Sequence, residues 1–219
     1  MSDQQGSHSI RDLRREYSSR ALDEASTDED PIKQFRAWFD EAVRANLIDV
    51  NAMALATVAA DGTPSARTVL LKDIDTTGFV FFTHYDSPKG RDLVTHPKAS
   101  LLFYWAELER QVRVTGLVER VDSRESDAYF ASRPRDSQIA AWAARQSTEL
   151  PDRATLERRY DEINARYEGA EVPRPPDWGG YHLTPDRIEF WQGRPRRLHD
   201  RLLYTKNADG TWKRVRLAP

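Results

Sequence analysis

Between residues 52 and 120 the apolar side chains fall on every second position, and the breaks between the alternating runs are short and rich in turn formers. A period of two puts one set of side chains on one face of a strand, and short breaks leave no room for the crossover that parallel pairing needs. The segment therefore reads as an antiparallel meander. Residues 52–59 form the first strand, Asp61-Gly62 a tight turn and residues 65–73 the returning strand. A second turn at 76–78 leads to a third strand at 79–83. Ser87-Pro88 opens a short helix that His96-Pro97 closes, and strands at 99–105 and 109–120 follow. Five strands with such connections point to a barrel or a sandwich.

The flanks supply helices. Asp30 followed by Pro31 is an N-cap and a first-turn proline, and Ile32, Phe35, Phe39 and Val43 recur at helical spacing, so 31–46 reads as an amphipathic helix. Asp122 with Glu125 opens a helix to 132, and Asp136 caps another reaching 144. Residues 152–167 carry Leu156, Tyr160 and Ile163 on one face among many charges, as a surface cover does, and end at Gly169 before a proline-rich loop. Strands return at 180–184, 187–192, 202–206 and 212–217, the last two joined by a turn at 207–210. The expectation is a mainly β, α+β antiparallel domain over 31–219. Residues 1–30 are polar, with a short helical possibility at 10–17 and the acidic run LDEASTDED, and are expected to be mobile until something binds.

Composition narrows the function. The 219 residues suffice for a core without metal or disulfide support, and the absence of Cys removes thiolate chemistry and zinc-ribbon spacing. No window approaches a membrane span and no signal peptide is visible, so a cytoplasmic, membrane-free protein is expected. A net charge of −2 disfavours nucleic acid as a partner. Base is concentrated locally in WQGRPRRLHDRLLY, residues 191–204, where Arg194, Arg196, Arg197, His199 and Arg201 accompany a single acid, Asp200. Such a cluster suits a small anion or is an ordinary solvated loop, and six Trp and eight Tyr offer flat surfaces for a planar ring.

No glycine-rich phosphate loop, GxSxG elbow or HExxH occurs, and the five His are scattered, so no metal centre is expected. What remains is cations and polar groups at strand ends and helix starts. Arg67 and Lys72 are five apart, which by strict alternation puts them on opposite faces of a strand, as ligand groups or as plain surface charges. Lys89 lies in the first turn of the short helix after Thr83 and Ser87, a phosphate cradle or simply a capped helix. Tyr129, Arg133, Arg135 and Ser137 surround a helix-to-helix turn that also suits a phosphate. Gln111, Gln146 and Ser147 are neutral groups able to read a heteroaromatic edge or to serve structure alone.

Four ordered motifs then carry a resemblance: RTVLLK at 67–72, LERQVRVTG at 108–116, YFASRPRDSQI at 129–139 and FWQGRPRRLHDR at 190–201, with a closing RLAP. The chain resembles the pyridoxine (pyridoxamine) 5'-phosphate oxidases from the RREY motif at 14–17 through to Pro219. The resemblance implies an FMN-binding split β-barrel, homodimeric, with two flavins in clefts between subunits. It places Arg67, Thr68, Val69, Leu70, Leu71, Lys72, Phe82, Thr83, Lys89, Gln111, Gln146, Ser147, Trp191 and Arg201 on FMN. It places Lys72, Tyr129, Arg133 and Ser137 on the substrate phosphate, Arg197 and His199 over the pyridine ring as catalytic groups, and Arg14 and Tyr17 in an N-terminal segment that closes on the substrate. Two positions depart from the family pattern: Pro88 replaces a basic residue near the FMN phosphate, and Phe82 replaces a common Tyr.

The implied reaction oxidises C4' of pyridoxine or pyridoxamine 5'-phosphate to the aldehyde of pyridoxal 5'-phosphate. Hydride passes to flavin N5, dioxygen becomes hydrogen peroxide, and the amine substrate releases ammonia. The cofactor supplies that chemistry, which accounts for the missing catalytic dyad. Two alternatives stand beside it: a split-barrel flavin oxidase or deazaflavin protein acting on another heteroaromatic compound, as in phenazine assembly, and a noncatalytic carrier of FMN or pyridoxal phosphate.

Overall fold

The computed structural model describes residues 16–17 and 21–219. Helix α1, Pro31–Arg44, begins where the Asp30 carboxylate accepts the Ile32 N–H. The meander follows as β1 (Ala52–Val58), β2 (Pro64–Ile74), β3 (Phe79–His84), α2 (Pro88–Thr95), β4 (Lys98–Trp105) and β5 (Arg110–Arg120). Helices α3 (Ser123–Ser132), α4 (Arg135–Ala143) and α5 (Arg153–Arg166) come next, then β6 (Trp178–Gln192), β7 (Asp200–Lys206) and β8 (Trp212–Arg216).

The sheet runs β3-β2-β1-β4-β5-β6-β7-β8, and β3 also pairs with β6, so six antiparallel strands close into a barrel from which β7 and β8 extend. Strand β6 belongs to both parts: residues 178–183 pair with β3, and residues 187–192 pair with β7. The expected break into strands 180–184 and 187–192 is absent. A bulge takes its place, since Thr115 faces Arg187 while Gly116 faces Pro185, leaving Asp186 as the extra residue. Gly116 is required there, because a Cβ would stand 2.0 Å from the Thr184 carbonyl oxygen.

Helix α1 plugs one end of the barrel. Phe35 is fully buried, edge-on to Phe79 at 4.9 Å and to Phe103 at 4.8 Å. Trp38 and Ala42 complete the buried face, whereas Val43, expected on it, is 50% exposed. The helix stops at Arg44 rather than Asn46, which takes a left-handed φ of 53°. A second cluster, Phe130, Ile139, Ala141, Val172 and Trp178, fastens α3 and α4 to the start of β6, with Tyr160 and Ile163 of α5 against it. Asp136 does not cap α4. Pro134 occupies the N-cap, its carbonyl accepting the Ser137 and Gln138 N–H groups, and Asp136 instead accepts the Tyr160 hydroxyl at 3.0 Å.

The acidic run, expected to be mobile, is docked on β7 and β8 through specific bonds. Leu22 is buried and its N–H donates to Asp200, Arg216 donates to Glu24 and to the Leu22 carbonyl, and the Tyr204 hydroxyl donates to the Asp28 carbonyl at 2.7 Å. Arg14 and most of the helical possibility at 10–17 lie outside the described residues. Phe35→Ala is expected to cost about 3–5 kcal/mol, the range for removing a buried aromatic, read as a lower urea midpoint.

Candidate active site

The barrel has a seam. Strands β2 and β3 pair only from Leu71 to Ile74, and beyond Leu71 they diverge, leaving the β3-facing edge of residues 67–70 without a strand partner. A cavity of about 760 Å³ opens there, walled by residues 67–70 on one side, Phe82, Thr83 and His84 on the other, and roofed by α2, α3 and α4. Arg67 and Lys72 both line it, contrary to strict alternation. The reason is a β-bulge: Leu71 faces Phe81 and Asp73 faces Val80, so Lys72 is the unpaired residue and its side chain is re-aimed. Leu71 itself is 4% exposed and points into the core, so its side chain takes no part.

Besides Lys72, three cations converge on the cavity. Arg67 donates to the Thr57 hydroxyl at 2.7 Å, the Leu55 carbonyl at 3.1 Å and the Ser65 hydroxyl at 2.7 Å, and lies 3.8 Å from Asp92. Thr57 in turn donates to Asp92 at 2.6 Å. Lys89 is buried and donates to Gln146 at 2.5 Å, Thr83 at 3.3 Å and Ser87 at 3.4 Å, all neutral acceptors. Burial, reinforced by the charge of Arg67 and partly opposed by Asp92, pushes the Lys89 ammonium down to about 8. Arg133 lies over the Trp178 ring at 4.8 Å, its Nη1 buried without a hydrogen-bond partner, and burial lowers its pKa. Leaving a buried donor without a partner costs about 1–3 kcal/mol.

An aromatic wall stands between the cations. Phe82 stacks on Tyr129 with centroids 3.9 Å apart and on Trp178 at 5.5 Å, so the missing Tyr hydroxyl at position 82 leaves the stack intact. Ser137 sits in the first turn of α4, whose N-cap supplies no side-chain bond. Ser147, also at the cavity, holds a left-handed φ of 64°, a conformation that costs a non-glycine residue about 1 kcal/mol. Pro88 opens α2 after Ser87 and does not line the cavity.

The remaining candidates gather elsewhere on the chain. Gln111 of β5 faces Trp191 of β6, which faces Arg201 of β7, so the three form one lateral row. Arg201 donates to buried Glu189 at 2.9 Å and to the Ala218 carbonyl at 2.8 Å. Tyr17 meets Trp191 at 5.7 Å and His199 at 5.3 Å, edge-on to both. The Arg194 N–H donates to His199 Nδ1 at 3.1 Å, which leaves the proton of the neutral ring on Nε2. Burial, then the charge of Arg197, lowers the His199 pKa against the opposing pull of Asp200, favouring that neutral ring. Arg196 and Arg197 are both left-handed, at φ 58° and 62°, so the loop presents Arg197 to solvent in a strained backbone. Arg194 pairs with Asp200, and Arg135 donates to the Tyr167 and Ala170 carbonyls, so neither serves the cavity as an anion grip.

Sequence reasoning missed Asp92, Thr57, His84 and Trp178. One signal was present: Met53, Leu55 and Thr57 share the inward row of β1, and a hydroxyl in that row needs a polar partner.

Barrel, seam and C-terminal extension define a split β-barrel protein with a cleft lined by cationic side chains. The family model described as pyridoxamine 5'-phosphate oxidase matches residues 39–167, and that of the pyridoxine 5'-phosphate oxidase C-terminal dimerisation region matches residues 178–219. The chain belongs to the pyridoxamine 5'-phosphate oxidase family. It is 59% identical over 211 residues to a pyridoxine/pyridoxamine 5'-phosphate oxidase of Ralstonia pickettii, covering 96% of this chain and 99% of the relative. Identity is also 59% over 207 residues to that of Rubrobacter xylanophilus, covering 94% and 95%. Among solved structures, PhzG from Burkholderia lata 383 in complex with tetrahydrophenazine-1-carboxylic acid superposes with a TM-score of 0.87 at 34% identity, covering 92% of this chain and all of that one.

The state of Lys89 gives a signed expectation. Below about pH 8 the ammonium is charged and attracts an anion; above it the attraction is lost, so affinity for inorganic phosphate or FMN falls as pH rises through about 8. Lys89→Met removes that pH dependence in a titration followed by flavin fluorescence. The ligand-free protein behaves oppositely: between about 8 and the ordinary lysine value near 10.5 the unfolded chain holds the proton that the folded one lacks, so stability rises with pH.

Proposed function

We propose that the chain is an FMN-dependent oxidase converting pyridoxine 5'-phosphate and pyridoxamine 5'-phosphate into pyridoxal 5'-phosphate. The observation that carries the reading is the presence of two cation sets around one cleft, Arg67 with Lys89 at the seam and Arg133 beside Tyr129 and Ser137 under the roof. Two anionic groups flanking a planar ring system suit such a cleft. The residues present fit FMN: Arg67 and Lys89 for its phosphate, the open edge of residues 67–70 with Gln146 and Ser147 for its ring edge and ribityl chain. Bound FMN supplies the two-electron acceptor and passes the electrons to dioxygen, yielding hydrogen peroxide.

The chain's own residues then bind and orient. Arg133, Lys72, Tyr129 and Ser137 take the substrate phosphate, which pairs the buried guanidinium. Arg197 orients the pyridine ring and offsets negative charge developing on it, and His199, with its proton on Nε2, donates a hydrogen bond to the substrate. Tyr17 packs on the His199 ring, and with Arg14 it belongs to the segment that closes over the bound vitamer. Gln111, Trp191, Arg197, His199 and Arg201 do not line the cavity of their own chain, and all but Gln111 lie within the dimerisation region. In the proposed homodimer the row from one protomer completes the cleft of its partner.

The likeness to PhzG favours a second reading, oxidation of a larger aromatic acid on the same fold. A carboxylate substrate leaves one of the two cation sets without a phosphate, and identity to the pyridoxine/pyridoxamine 5'-phosphate oxidases is higher, 59% against 34%. Oxygen uptake by FMN-loaded protein decides: turnover of either B6 phosphate with peroxide release supports the first reading, and turnover of tetrahydrophenazine-1-carboxylic acid alone supports the second. Arg133→Ala is expected to raise KM for the phosphorylated substrate about 10- to 100-fold, the worth of a charged hydrogen bond. Arg197→Met is expected to lower kcat about 100-fold; unchanged turnover at saturating substrate rejects its role.

A further inference from the structure

At the cleft wall His84 belongs to a second group of side chains, whose two acids, Asp86 and Asp177, do not line the cavity and have no part in the oxidase reading. His84 ends β3, Asp86 follows in the turn before α2, and Asp177 immediately precedes β6. Backbone bonds alone bring them together: β3 pairs with β6 so that His84 faces Trp178, and the Tyr85 N–H donates to the Asp177 carbonyl at 2.6 Å. One ligand atom from each residue lies within 4.8 Å of the others, and His84 Nδ1 stands 3.5 Å from Asp177 Oδ2.

We propose that His84, Asp86 and Asp177 bind a divalent transition cation of the zinc class. Two atoms are buried without a hydrogen-bond partner, His84 Nδ1, which has only the 3.5 Å approach of Asp177, and Asp86 Oδ1, and they are two of the four such atoms among the described residues. Leaving a buried polar atom unsatisfied costs about 1–3 kcal/mol, so two in one cluster call for a shared partner. The imidazole is 92% buried, with 8% of its side chain exposed, which fixes its lone pair in place. Arg145 touches Asp86 through the other carboxylate oxygen, Oδ2, at 3.5 Å, and with 74% of its side chain exposed it is free to swing outward.

The His84–Asp177 separation and the donor set point to the same class of ion. Ligands about 2.1 Å from a zinc ion at the tetrahedral angle lie about 3.4 Å apart, close to the observed imidazole–carboxylate separation. One imidazole nitrogen and two carboxylates suit zinc, cobalt or nickel, whereas calcium and magnesium favour all-oxygen sets. Three protein ligands leave a fourth position for water, and Asp86 and Asp177, each about one-third exposed, leave a route in from solvent. A bound ion ties the β3–α2 corner to the start of β6, within five residues of Lys89 and one of Trp178.

The test is equilibrium dialysis of untagged, FMN-loaded protein against zinc, with metal content measured per chain. One equivalent is expected, with affinity reduced roughly 100-fold in His84→Asn and in Asp177→Asn. Asp75→Asn, which alters the other His–Asp contact at His182, is expected to leave uptake unchanged. Substoichiometric uptake, or uptake unaffected by either substitution at the cluster, overturns the site. Should His84→Asn fail to fold, cobalt in the unaltered protein decides: intense visible bands of a four-coordinate ion are expected, and the weak spectrum of the hydrated ion alone overturns the proposal. The outcome is independent of which substrate the cleft takes.

Discussion

Everything at the site depends on where β2 and β3 stop pairing. A barrel closed along its full length has no free strand edges, and its interior is filled by side chains. Here the β2–β3 ladder ends at Leu71, and the bulge at Lys72 marks the point of separation. Past it the backbone of residues 67–70 is open on one side, a surface of N–H and C=O groups that no side-chain substitution removes. The rest of the barrel, closed by six pairings of β3 with β6, is rigid enough to hold the seam open.

Around that seam the chain places charge where burial opposes it. Arg67, Lys89 and Arg133 all have lowered pKa values with burial as the leading cause. Asp92 moderates the first two, through Thr57 and directly, without neutralising the third. Packing therefore holds these cations at the cavity against the cost of burial, beside the aromatic stack of Tyr129, Phe82 and Trp178.

Period and punctuation made most of the fold legible: the alternation from Ala52 onward, Asp30-Pro31, Ser87-Pro88 and Asp122 each fixed an element within two residues of where it lies. Failures occurred where a nonlocal contact overrode a local signal. Pro185 reads as a strand break, yet Gly116 on the neighbouring strand accommodates it as a bulge. Asp136 reads as a cap, yet Pro134 already occupies that place. Alternation put Arg67 and Lys72 on opposite faces, and only pairing with β3 reveals the extra residue. The site candidates came from motif resemblance more than from chemistry, so Asp92 and Thr57, which hold Arg67 from other elements, were invisible until the fold joined them.

The row Gln111, Trp191 and Arg201 sits apart from the cavity of its own chain, and that separation has a consequence for how lesions combine. In the proposed homodimer each site borrows its row from one chain and its cleft from the other. A chain damaged in the cleft and a chain damaged in the row, paired together, place both lesions in one site and leave the other whole. Subunit exchange between two inactive populations then restores one of the two sites in every mixed dimer, a form of tolerance unavailable to an enzyme whose site lies within a single chain.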